Sequence, residues 1–267
     1  MCLIAIATRI HPLYPLIIAA NRDEFYHRPT APLAFWQDQP NILAGRDLEQ
    51  TGTWLGITKT GRFAAITNFR DPALMGSAAP SRGLLVSDFL ASDQKPEAYL
   101  KAIKNSGKEY NGFNLVVGDM KELWWYSNKK NDIVKIKPGI HVISNHLMDT
   151  PWPKTLKAKA GIQEICDRKS TIDPEDILQV LADTDRPTDD QLPDTGVGLE
   201  WERLLSSIFV SSDIYGTRSS ALILAEPSGR MTFAERTFKF QGNAPIIEKT
   251  RTFNIKTASF LNPSQSS

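Results

Sequence analysis

Residues 1–25, MCLIAIATRIHPLYPLIIAANRDEF, open the chain with two short apolar runs on either side of a turn that contains two prolines. The runs cover residues 2–8 and 14–20, and both have the length of ordinary strands. We therefore predict that the chain begins with a β-hairpin. The second run leads directly into four polar residues, Asn21, Arg22, Asp23 and Glu24.

The rest of the chain adds further strand patterns and several helical ones. Strand patterns bounded by Gly, Asn, Asp or Lys cover residues 52–58, 63–68, 113–118, 123–127, 133–136, 141–144, 207–212, 219–226 and 231–238. Apolar residues at helical spacing predict helices over residues 81–90, 96–103, 155–166 and 174–182. Strands, then helices, then strands joined by tight hairpins predict a layered α+β fold with mainly antiparallel sheets.

The domain organisation follows from the absence of repeats and of an interdomain linker. We expect residues 1–255 to form a single domain and residues 256–267 to form a polar C-terminal tail that frays. Residues 184–199 contain two prolines and two glycines, which predicts a loop long enough to signal function or mobility.

The composition excludes several classes of protein. The 267 residues include 31 Lys and Arg against 30 Asp and Glu, so no general nucleic-acid footprint is expected. Two cysteines cannot build a disulfide framework, which fits a reducing compartment. No apolar run approaches the roughly 20 residues of a transmembrane segment, and no signal-peptide pattern is found. We expect a cytoplasmic protein without a transmembrane segment, and the sequence does not indicate its oligomeric state.

Cys2 is the first residue with a specific chemical interpretation. Removal of Met1 is favoured when the second residue is small, and it would leave a thiol and a free α-amine on Cys2. An α-amine has a pKa of about 7.7–8.0 and a thiol one of about 8.5, so one residue can supply both base and nucleophile. The alternative is that Cys2 is a small buried apolar residue at the start of an edge strand.

Seven short segments resemble one known family in the right order along almost the whole chain. They cover residues 1–4, 20–25, 52–56, 65–70, 110–115, 144–145 and 215–220. The chain resembles the NRDE family, also called the transport and Golgi organisation protein family and named after the four residues that begin at Asn21. The resemblance implies an Ntn-hydrolase-like αββα fold. Members of the family include proteins discussed as haem or lipid carriers rather than as enzymes. The resemblance therefore implies either a catalytic role or a carrier role.

Within that superfamily, the opening of the chain is similar to the cysteine acylases that cleave bile-salt conjugates and penicillin V. This similarity implies that Cys2 is the nucleophile and that Arg22 favours its thiolate. Asp23 takes the place of the acylase aspartate, Asn145 would donate to the tetrahedral oxyanion, and Arg218 would support the site electrostatically. Their structural alternatives are turn residues, a surface arginine and a solvated charged turn.

Two further asparagines, Asn21 and Asn114, match the family pattern, and we treat them as substrate-binding candidates. One departure affects the site: the acylases separate their Arg and Asp by two residues, whereas Arg22 and Asp23 are adjacent. Adjacent side chains on a regular strand point to opposite faces, so Arg22 and Asp23 are alternatives as neighbours of Cys2. A turn or bulge after Ala20 would bring both to it.

No metal or cofactor is assigned from the sequence. His141, His146 and Asp149 form the one histidine cluster, but their spacing matches no recognised metal motif. A dinucleotide-binding motif and a phosphate-binding loop are both missing. Cys166 follows an apolar helix position without a partner motif, so a structural role is expected.

These observations lead to two functional hypotheses, an enzyme and a carrier. A structural or scaffolding protein is the third alternative. The leading hypothesis is a hydrolase acting on non-peptide C–N bonds, or an acyltransferase, with Cys2 as the N-terminal nucleophile. The alternative is a non-catalytic carrier that holds haem or a fatty-acyl conjugate in the same cleft. The expected partner is therefore a small-molecule amide, acyl or haem-like ligand, and the sequence does not name it.

Overall fold

The computed structural model describes residues 2–72, 79–119, 121–241 and 244–257. Its thirteen strands are β1 (Cys2–Thr8), β2 (Leu16–Phe25), β3 (Thr30–Phe35), β4 (Ile42–Asp47), β5 (Leu55–Thr58), β6 (Phe63–Asn68), β7 (Phe113–Gly118), β8 (Leu123–Ser127), β9 (Asp132–Lys135), β10 (Gly139–Ile143), β11 (Tyr215–Ala225), β12 (Arg230–Gln241) and β13 (Ala244–Lys256). The α-helices of these ranges are α1 (Arg82–Ala91), α2 (Pro96–Ser106), α3 (Pro153–Asp167), α4 (Pro174–Leu181) and α5 (Leu199–Leu204).

The strands form two antiparallel sheets. The first has the order β10-β1-β2-β11-β12-β13, and the second runs β3-β4-β5-β6-β7-β8-β9. The opening hairpin therefore lies inside the first sheet, because β10 covers the free side of β1 and β11 covers the free side of β2. This position explains why β1 and β2 are apolar on both faces.

The two sheets pack face to face and each carries helices on its outer face. Alternate residues of the hairpin, such as Ile4 and Ile18, contribute to the core between the sheets. Their neighbours Leu3 and Ile17 point the other way and pack with α3 and α4. Phe89 of α1 belongs to the equivalent outer core of the second sheet. The predicted α+β class is confirmed, and the layers have the αββα order that the resemblance implies.

Three strands of the structure were not indicated by the sequence patterns. One predicted strand, by contrast, is not observed. β3 and β4 extend the second sheet, and β13 forms an edge of the first. Residues 207–212 were predicted as a strand but form none, because their backbone groups bond elsewhere: Phe209 N donates to Asp183 O at 2.7 Å, and Val210 N donates to Thr217 Oγ1 at 2.9 Å.

The single domain over residues 1–255 and the polar C-terminal tail over residues 256–267 stay predictions. Lys256 still belongs to β13, where it faces Arg230 of β12, and residues 258–267 lie outside the described residues. None of the helices in the described ranges has the length and hydropathy that a membrane crossing needs.

Candidate active site

The register of the opening hairpin places Cys2 directly opposite Arg22. Directly opposed residues of an antiparallel pair project from the same face of the sheet. Ile4 and Ile18 belong to the core between the sheets, and the period of two along each strand puts Cys2 and Arg22 on that same side. Both residues line a cavity of about 250 Å³ at the end of the hairpin.

The Arg22 guanidinium is held in a fixed position beside the thiol. It stacks on the Trp54 ring at 4.3 Å from the centroid, and its Nη1 donates to Thr30 Oγ1 at 3.1 Å. Its Nη2 lies 3.5 Å from the Asp47 carboxylate. The positive charge of Arg22 therefore cannot swing away from the cavity without breaking several contacts at once.

The thiol of Cys2 experiences opposing influences. Burial raises its pKa above the ordinary value, and the nearby charge of Asp23 raises it further. The charge of Arg22 and a hydrogen bond from the backbone N–H of Asp23 lower it. The net direction is upward, so the thiol needs a base to become a nucleophile at neutral pH.

Asp23 occupies the other face of β2, as the alternation along an extended strand predicts. Its Oδ1 accepts a hydrogen bond from Thr217 Oγ1 at 2.7 Å, and its carbonyl accepts one from Tyr215 Oη at 3.0 Å. Burial raises the pKa of this carboxyl group, and the charge of Lys154 lowers it. Asp23 is a wall residue of the Cys2 cavity and its backbone N–H donates to the Cys2 sulfur, whereas its carboxylate is bound by Thr217 on the other face of the strand.

The Asn21 side chain lies on the same face of β2 as Asp23, and its hydrogen bonds connect β2 to neighbouring parts of the fold. Its Nδ2 donates to Leu181 O at 2.8 Å and to Ile208 O at 2.9 Å, while its Oδ1 accepts from Ser220 Oγ at 2.7 Å. Those bonds tie β2 to the end of α4 and to β11. Asn21 is not among the residues that line the described cavity around Cys2. Its assignment to substrate binding stays a prediction.

The other two predicted asparagines are buried beside the cavity and do not line it. Asn145 donates from Nδ2 to Asn68 O at 3.1 Å and accepts from Ser144 Oγ at 3.2 Å. Asn114 donates to Thr67 Oγ1 at 3.1 Å and to His146 O at 2.9 Å. The roles that the resemblance implies for Asn145 and Asn114 stay predictions.

Arg218 lies at a bulge in β11, where the register against β2 shifts between Thr217 and Ser219. Its Nη1 donates to the carbonyl oxygens of Phe25, Tyr26 and Arg28 at 2.9, 3.2 and 3.0 Å. The side chain therefore fastens the segment that follows β2. Arg218 does not line the described cavity around Cys2, although it contacts the wall residue Arg28, and its supporting role stays a prediction.

Asn68 lines the cavity, although sequence reasoning gave it no role. It ends β6 and forms part of the walls of two adjoining cavities. Within the described residues, its side-chain amide makes no hydrogen bond, whereas its carbonyl accepts from Asn145. Asn68 lies in the family-like segment 65–70, so the resemblance contained a signal for it.

Arg82 is the second cavity residue without a predicted role. It opens α1, and its Nη1 donates to Gly112 O at 3.0 Å. In the described part of the chain no carboxylate forms an ion pair with it. Burial lowers the pKa of Arg82, and the charge of Cys2 in its thiolate form raises it. No sequence pattern indicated a role for Arg82, which resembles an ordinary residue at the start of a helix.

Two glycines allow α1 to approach the cavity. A Cβ atom on Gly52 would lie 2.4 Å from the backbone carbon of Gly83, which is far inside contact distance. The close approach also includes a hydrogen bond from Thr53 N to Gly83 O at 3.2 Å. Because Gly83 follows Arg82, this contact fixes where the Arg82 side chain enters the cavity.

A second, apolar cavity of about 430 Å³ adjoins the first. The two share wall residues, among them Asn68 and Arg82. The additional wall is mostly aromatic and aliphatic and includes Phe25, Phe69, Trp201, Leu205 and Tyr215. Together they form one cleft that is polar at Cys2 and apolar beyond it.

Three buried charged residues lie at or near the apolar cavity, and Arg70 is one of its wall residues. Arg70 forms an ion pair with Glu202, whose other oxygen accepts from Thr195 N at 2.8 Å. Lys154 donates to Leu205 O at 2.8 Å, and burial, helped by the charge of Arg70, lowers its pKa to about 7. Sequence reasoning missed all three residues.

The described ranges hold no cluster of three His, Cys, Asp or Glu side chains arranged to bind a metal ion. His141 Nδ1 pairs with Asp149 at 2.7 Å, and His146 Nδ1 pairs with Thr150 Oγ1 at 2.8 Å, so the histidines have separate partners. Cys166 is buried in the core beside α4, and burial raises the pKa of its thiol to about 11.

The chain is similar in sequence to the members of one family and similar in structure to proteins of one fold. A family model described as Transport and Golgi organisation 2 matches residues 1–240. A transport and Golgi organization protein 2 homolog from Bos taurus is 36% identical over 262 residues, covering 92% of this chain and 94% of the relative. The Homo sapiens homolog is 35% identical over 260 residues, covering 91% of this chain and 94% of the relative.

Solved structures show the same arrangement of layers at much lower identity. Two mutant forms of the conjugated bile acid hydrolase from Clostridium perfringens superpose with TM-scores of 0.51 and 0.50. Each is 10% identical and covers 98% of this chain and 99% of that chain. Likeness at this identity concerns the fold alone, and the fold is Ntn-hydrolase-like.

Proposed function

The chain belongs to the Transport and Golgi organisation 2 family, and we propose that it is a cysteine amidohydrolase or acyltransferase that acts on small-molecule amides. One observation carries the proposal. Cys2 lies opposite Arg22 in the wall of a cleft that is polar beside the sulfur and apolar beyond it. Such a cleft suits a substrate with a polar half and an apolar half, with the bond to be cleaved near the thiol.

The first chemical step needs the α-amine of Cys2. While Met1 is attached, the nitrogen of Cys2 is an amide and cannot accept a proton. Once Met1 is removed, an amine with a pKa of about 7.7–8.0 becomes available on the same residue as the thiol. It takes the thiol proton, and the charge of Arg22 stabilises the resulting thiolate.

The thiolate then forms a bond to the acyl carbon, and the carbonyl oxygen becomes an oxyanion. We assign the donor to the Asn68 side-chain amide, which lines the cavity and makes no hydrogen bond within the described residues. Asn145 would have an indirect role, because its Nδ2 donates to the Asn68 carbonyl and so helps to position Asn68. A single donor of this kind contributes about 2.7–4 kcal/mol to transition-state stabilisation.

The remaining steps return the enzyme to its starting state. The oxyanion collapses, the C–N bond breaks, and the protonated α-amine gives its proton to the leaving amine. Water or a second amine then loses a proton to the α-amine and attacks the thioester carbon. The C–S bond breaks and the thiolate is restored, so the outcome is hydrolysis with water and acyl transfer with an amine.

The apolar and polar parts of the cleft indicate how a substrate would be oriented. The acyl group would occupy the apolar cavity, where Phe69 and Trp201 form part of the wall. The amine portion would face the polar cavity, which Arg28 and Glu24 also line. Neither cysteine forms a disulfide, which fits the reducing cytoplasm where we place the reaction.

The experiment that tests this function reads acylation of Cys2 directly. The protein, shown by intact mass to lack Met1, is incubated with a library of acyl amides and with an electrophilic acyl probe. We expect a mass increase on the peptide that contains Cys2. Cys2→Ala should abolish the increase, and Cys166→Ala, the matched control, should keep it. If the processed protein forms no adduct with any compound, the proposal is wrong.

A reversible carrier is the second candidate, and the apolar cavity that adjoins the Cys2 cavity favours it. In this case haem or a fatty-acyl conjugate would bind without covalent change, and Cys2 would either ligate the haem iron or have a structural role. Absorbance titration with haem separates the two functions. Saturable binding that weakens in Cys2→Ala, without any acylation of the wild type, would support the carrier; the absence of saturable binding would remove the haem version.

A further inference from the structure

Glu235 is a buried carboxyl group to which the proposed mechanism gives no role. Only 3% of the residue is exposed. It lies on β12 and follows Met231 and Phe233, which both pack in the core between the sheets, at the strand period of two. The Glu235 side chain therefore points into an apolar core, where an ionisable group is costly and needs an explanation.

The carboxyl group satisfies a backbone group of the opposite sheet. Glu235 Oε2 accepts a hydrogen bond from Leu33 N at 2.6 Å. Leu33 lies where the pairing of β3 with β4 shifts register between Ala31 and Ala34, and such a bulge leaves its extra residue unpaired in the ladder. β3 is also the edge strand of the second sheet. The bond from Leu33 to Glu235 therefore attaches an edge strand to the facing sheet.

The attached strand is one of the two that hold the Arg22 side chain. Thr30, at the start of β3, accepts a hydrogen bond from Arg22 Nη1 at 3.1 Å. Thr30 lies directly opposite Asp47 of β4, whose carboxylate is 3.5 Å from Arg22 Nη2. A displacement of β3 would therefore change the contacts that fix the Arg22 guanidinium.

Glu235 and Arg22 are also neighbours within the first sheet. Ser219 lies directly opposite Arg22 in the ladder of β2 and β11, and its hydroxyl interacts with the Glu235 carboxyl group. Burial raises the pKa of Glu235, and the hydrogen bonds that it accepts lower it. The charges of Arg251, which faces Glu235 on β13, and of Arg22 lower it as well. Glu235 is therefore linked to the surroundings of Arg22 from both sheets.

We propose that Glu235 is a positioning residue for the Cys2 site, because it holds β3 against the first sheet and so keeps Arg22 in place beside the sulfur. It acts by accepting a hydrogen bond and not by its charge. A negative charge near Arg22 would by itself raise the pKa of the Cys2 thiol, so the loss of the charge and the loss of positioning have opposite signs. The inference rests on the role of Arg22 in the proposed function, but it concerns the thiol and needs no amide substrate.

The test measures the pH at which alkylation of Cys2 by iodoacetamide is half-maximal, followed by mass on the peptide that contains Cys2. Glu235→Met keeps the approximate size of the side chain and removes the acceptor. The midpoint should then rise by about 0.5–1 pH unit, a part of the 1–3 units that a nearby opposite charge provides. Glu235→Gln keeps an oxygen that can accept from Leu33 N, so its midpoint should not rise. A fall in both variants, the result of a charge effect alone, would overturn the proposal.

Two further variants separate positioning from a general loss of stability. Thr30→Val removes the hydroxyl that accepts from Arg22 and should raise the midpoint as Glu235→Met does. Combining the two should give no further rise, because both act on the same contact. Met231→Ala is the matched control: it leaves a cavity on the same face of β12, where Met231 pairs with Ala225 at the end of β11 remote from Ser219. Urea unfolding should show that it is destabilised, and its midpoint should be that of the wild type.

The outcomes that would overturn the proposal are specific. They are an unchanged midpoint in Glu235→Met, a rise of equal size in Glu235→Gln, and a rise of equal size in Met231→Ala. If Glu235→Met does not fold, Thr30→Val decides the matter, and an unchanged midpoint there shows that β3 does not position Arg22. If amides fail to acylate Cys2, the proposed function is wrong, whereas these midpoints still decide the role of Glu235.

Discussion

Cys2 and Arg22 are direct partners across the β1–β2 ladder, and both side chains point into the cleft between the sheets. Arg22 is held on its far side by the Trp54 ring, 4.3 Å away, and by Asp47 at 3.5 Å. The relationship is set by strand register, so it does not require Arg22 to be recruited by substrate. A fixed positive charge therefore faces the sulfur before any ligand arrives.

Arg22→Gln should raise the pKa of the Cys2 thiol, because it removes the charge that favours the thiolate. The rate of alkylation by iodoacetamide, measured against pH, should therefore reach its half-maximal value at a higher pH than in the wild type. Arg46→Gln is the control, since Arg46 pairs with Asp38 and does not line the Cys2 cavity. An unchanged midpoint in Arg22→Gln would show that the guanidinium does not act on the sulfur.

A permanent N-terminal extension should abolish acylation of Cys2 by amide substrates. The extension turns the nitrogen of Cys2 into an amide, so the thiol loses its base while the sulfur stays in place. Slow alkylation by iodoacetamide should persist, which distinguishes loss of the base from loss of access. Proteolytic removal of the extension up to Cys2 should restore acylation, as measured by intact mass. Full acylation of the extended protein would rule out the α-amine as the base.

Asn68 and Asn145 should respond differently to replacement by alanine. Asn68→Ala should lower the rate of Cys2 acylation by about 10²–10³-fold, the cost of losing an oxyanion donor, with little change in stability. Asn145→Ala should reduce the free energy of unfolding by about 1–3 kcal/mol, because it leaves buried partners without hydrogen bonds. Acylation rates and urea unfolding measure the two effects. A normal acylation rate in Asn68→Ala would return the donor role to Asn145.

Lys154 should make stability depend on pH above neutrality. Burial lowers its pKa from 10.5 to about 7, so between these values the unfolded chain binds more protons than the folded one. The free energy of unfolding gained from Lys154 therefore rises with pH in this window, by at most about 1.4 kcal/mol per pH unit, and is lost as the pH falls through the folded value.

Lys154→Met should remove that rise, which urea unfolding at several pH values in the window would reveal as a flatter curve. Lys157→Met is the matched control on the same helix, because Lys157 is half-exposed and pairs with Asp183 and Asp185. If wild type and Lys154→Met have parallel curves, Lys154 does not titrate in this window.

Features that depend on a few neighbouring residues could be predicted from the sequence. The opening hairpin, the placement of Arg22 and Asp23 on opposite faces, and the β6 strand all follow from patterns of a few residues, because side-chain direction in a strand has a period of two. The edge strand β13 was missed for the converse reason. The first seven residues of β13 are exposed and show no alternation, and only its last six alternate between partly buried and exposed positions, where Phe253 and Ile255 pack against the core between the sheets.

The cleft itself could not be assembled from local patterns. Cys2, Asn68 and Arg82 come from the first sheet, the second sheet and a helix, and only the stacking of the two sheets brings them together. The contact between Gly52 and Gly83 that admits Arg82 joins two segments with no common pattern. The burial of Arg70 against Glu202 likewise joins residues that are far apart in the sequence.

The turn between β1 and β2 determines where the sulfur lies, although it is at the opposite end of the hairpin. Pairing runs from Thr8 and Leu16 beside the turn to Cys2 and Arg22 at the cleft, and Arg9 N closes the turn on Pro15 O at 2.9 Å. A one-residue slip at the turn would send the thiol to the helical side of the sheet. Changes in this remote loop that shift the pairing by one residue are therefore expected to be far less tolerated than its surface location would indicate.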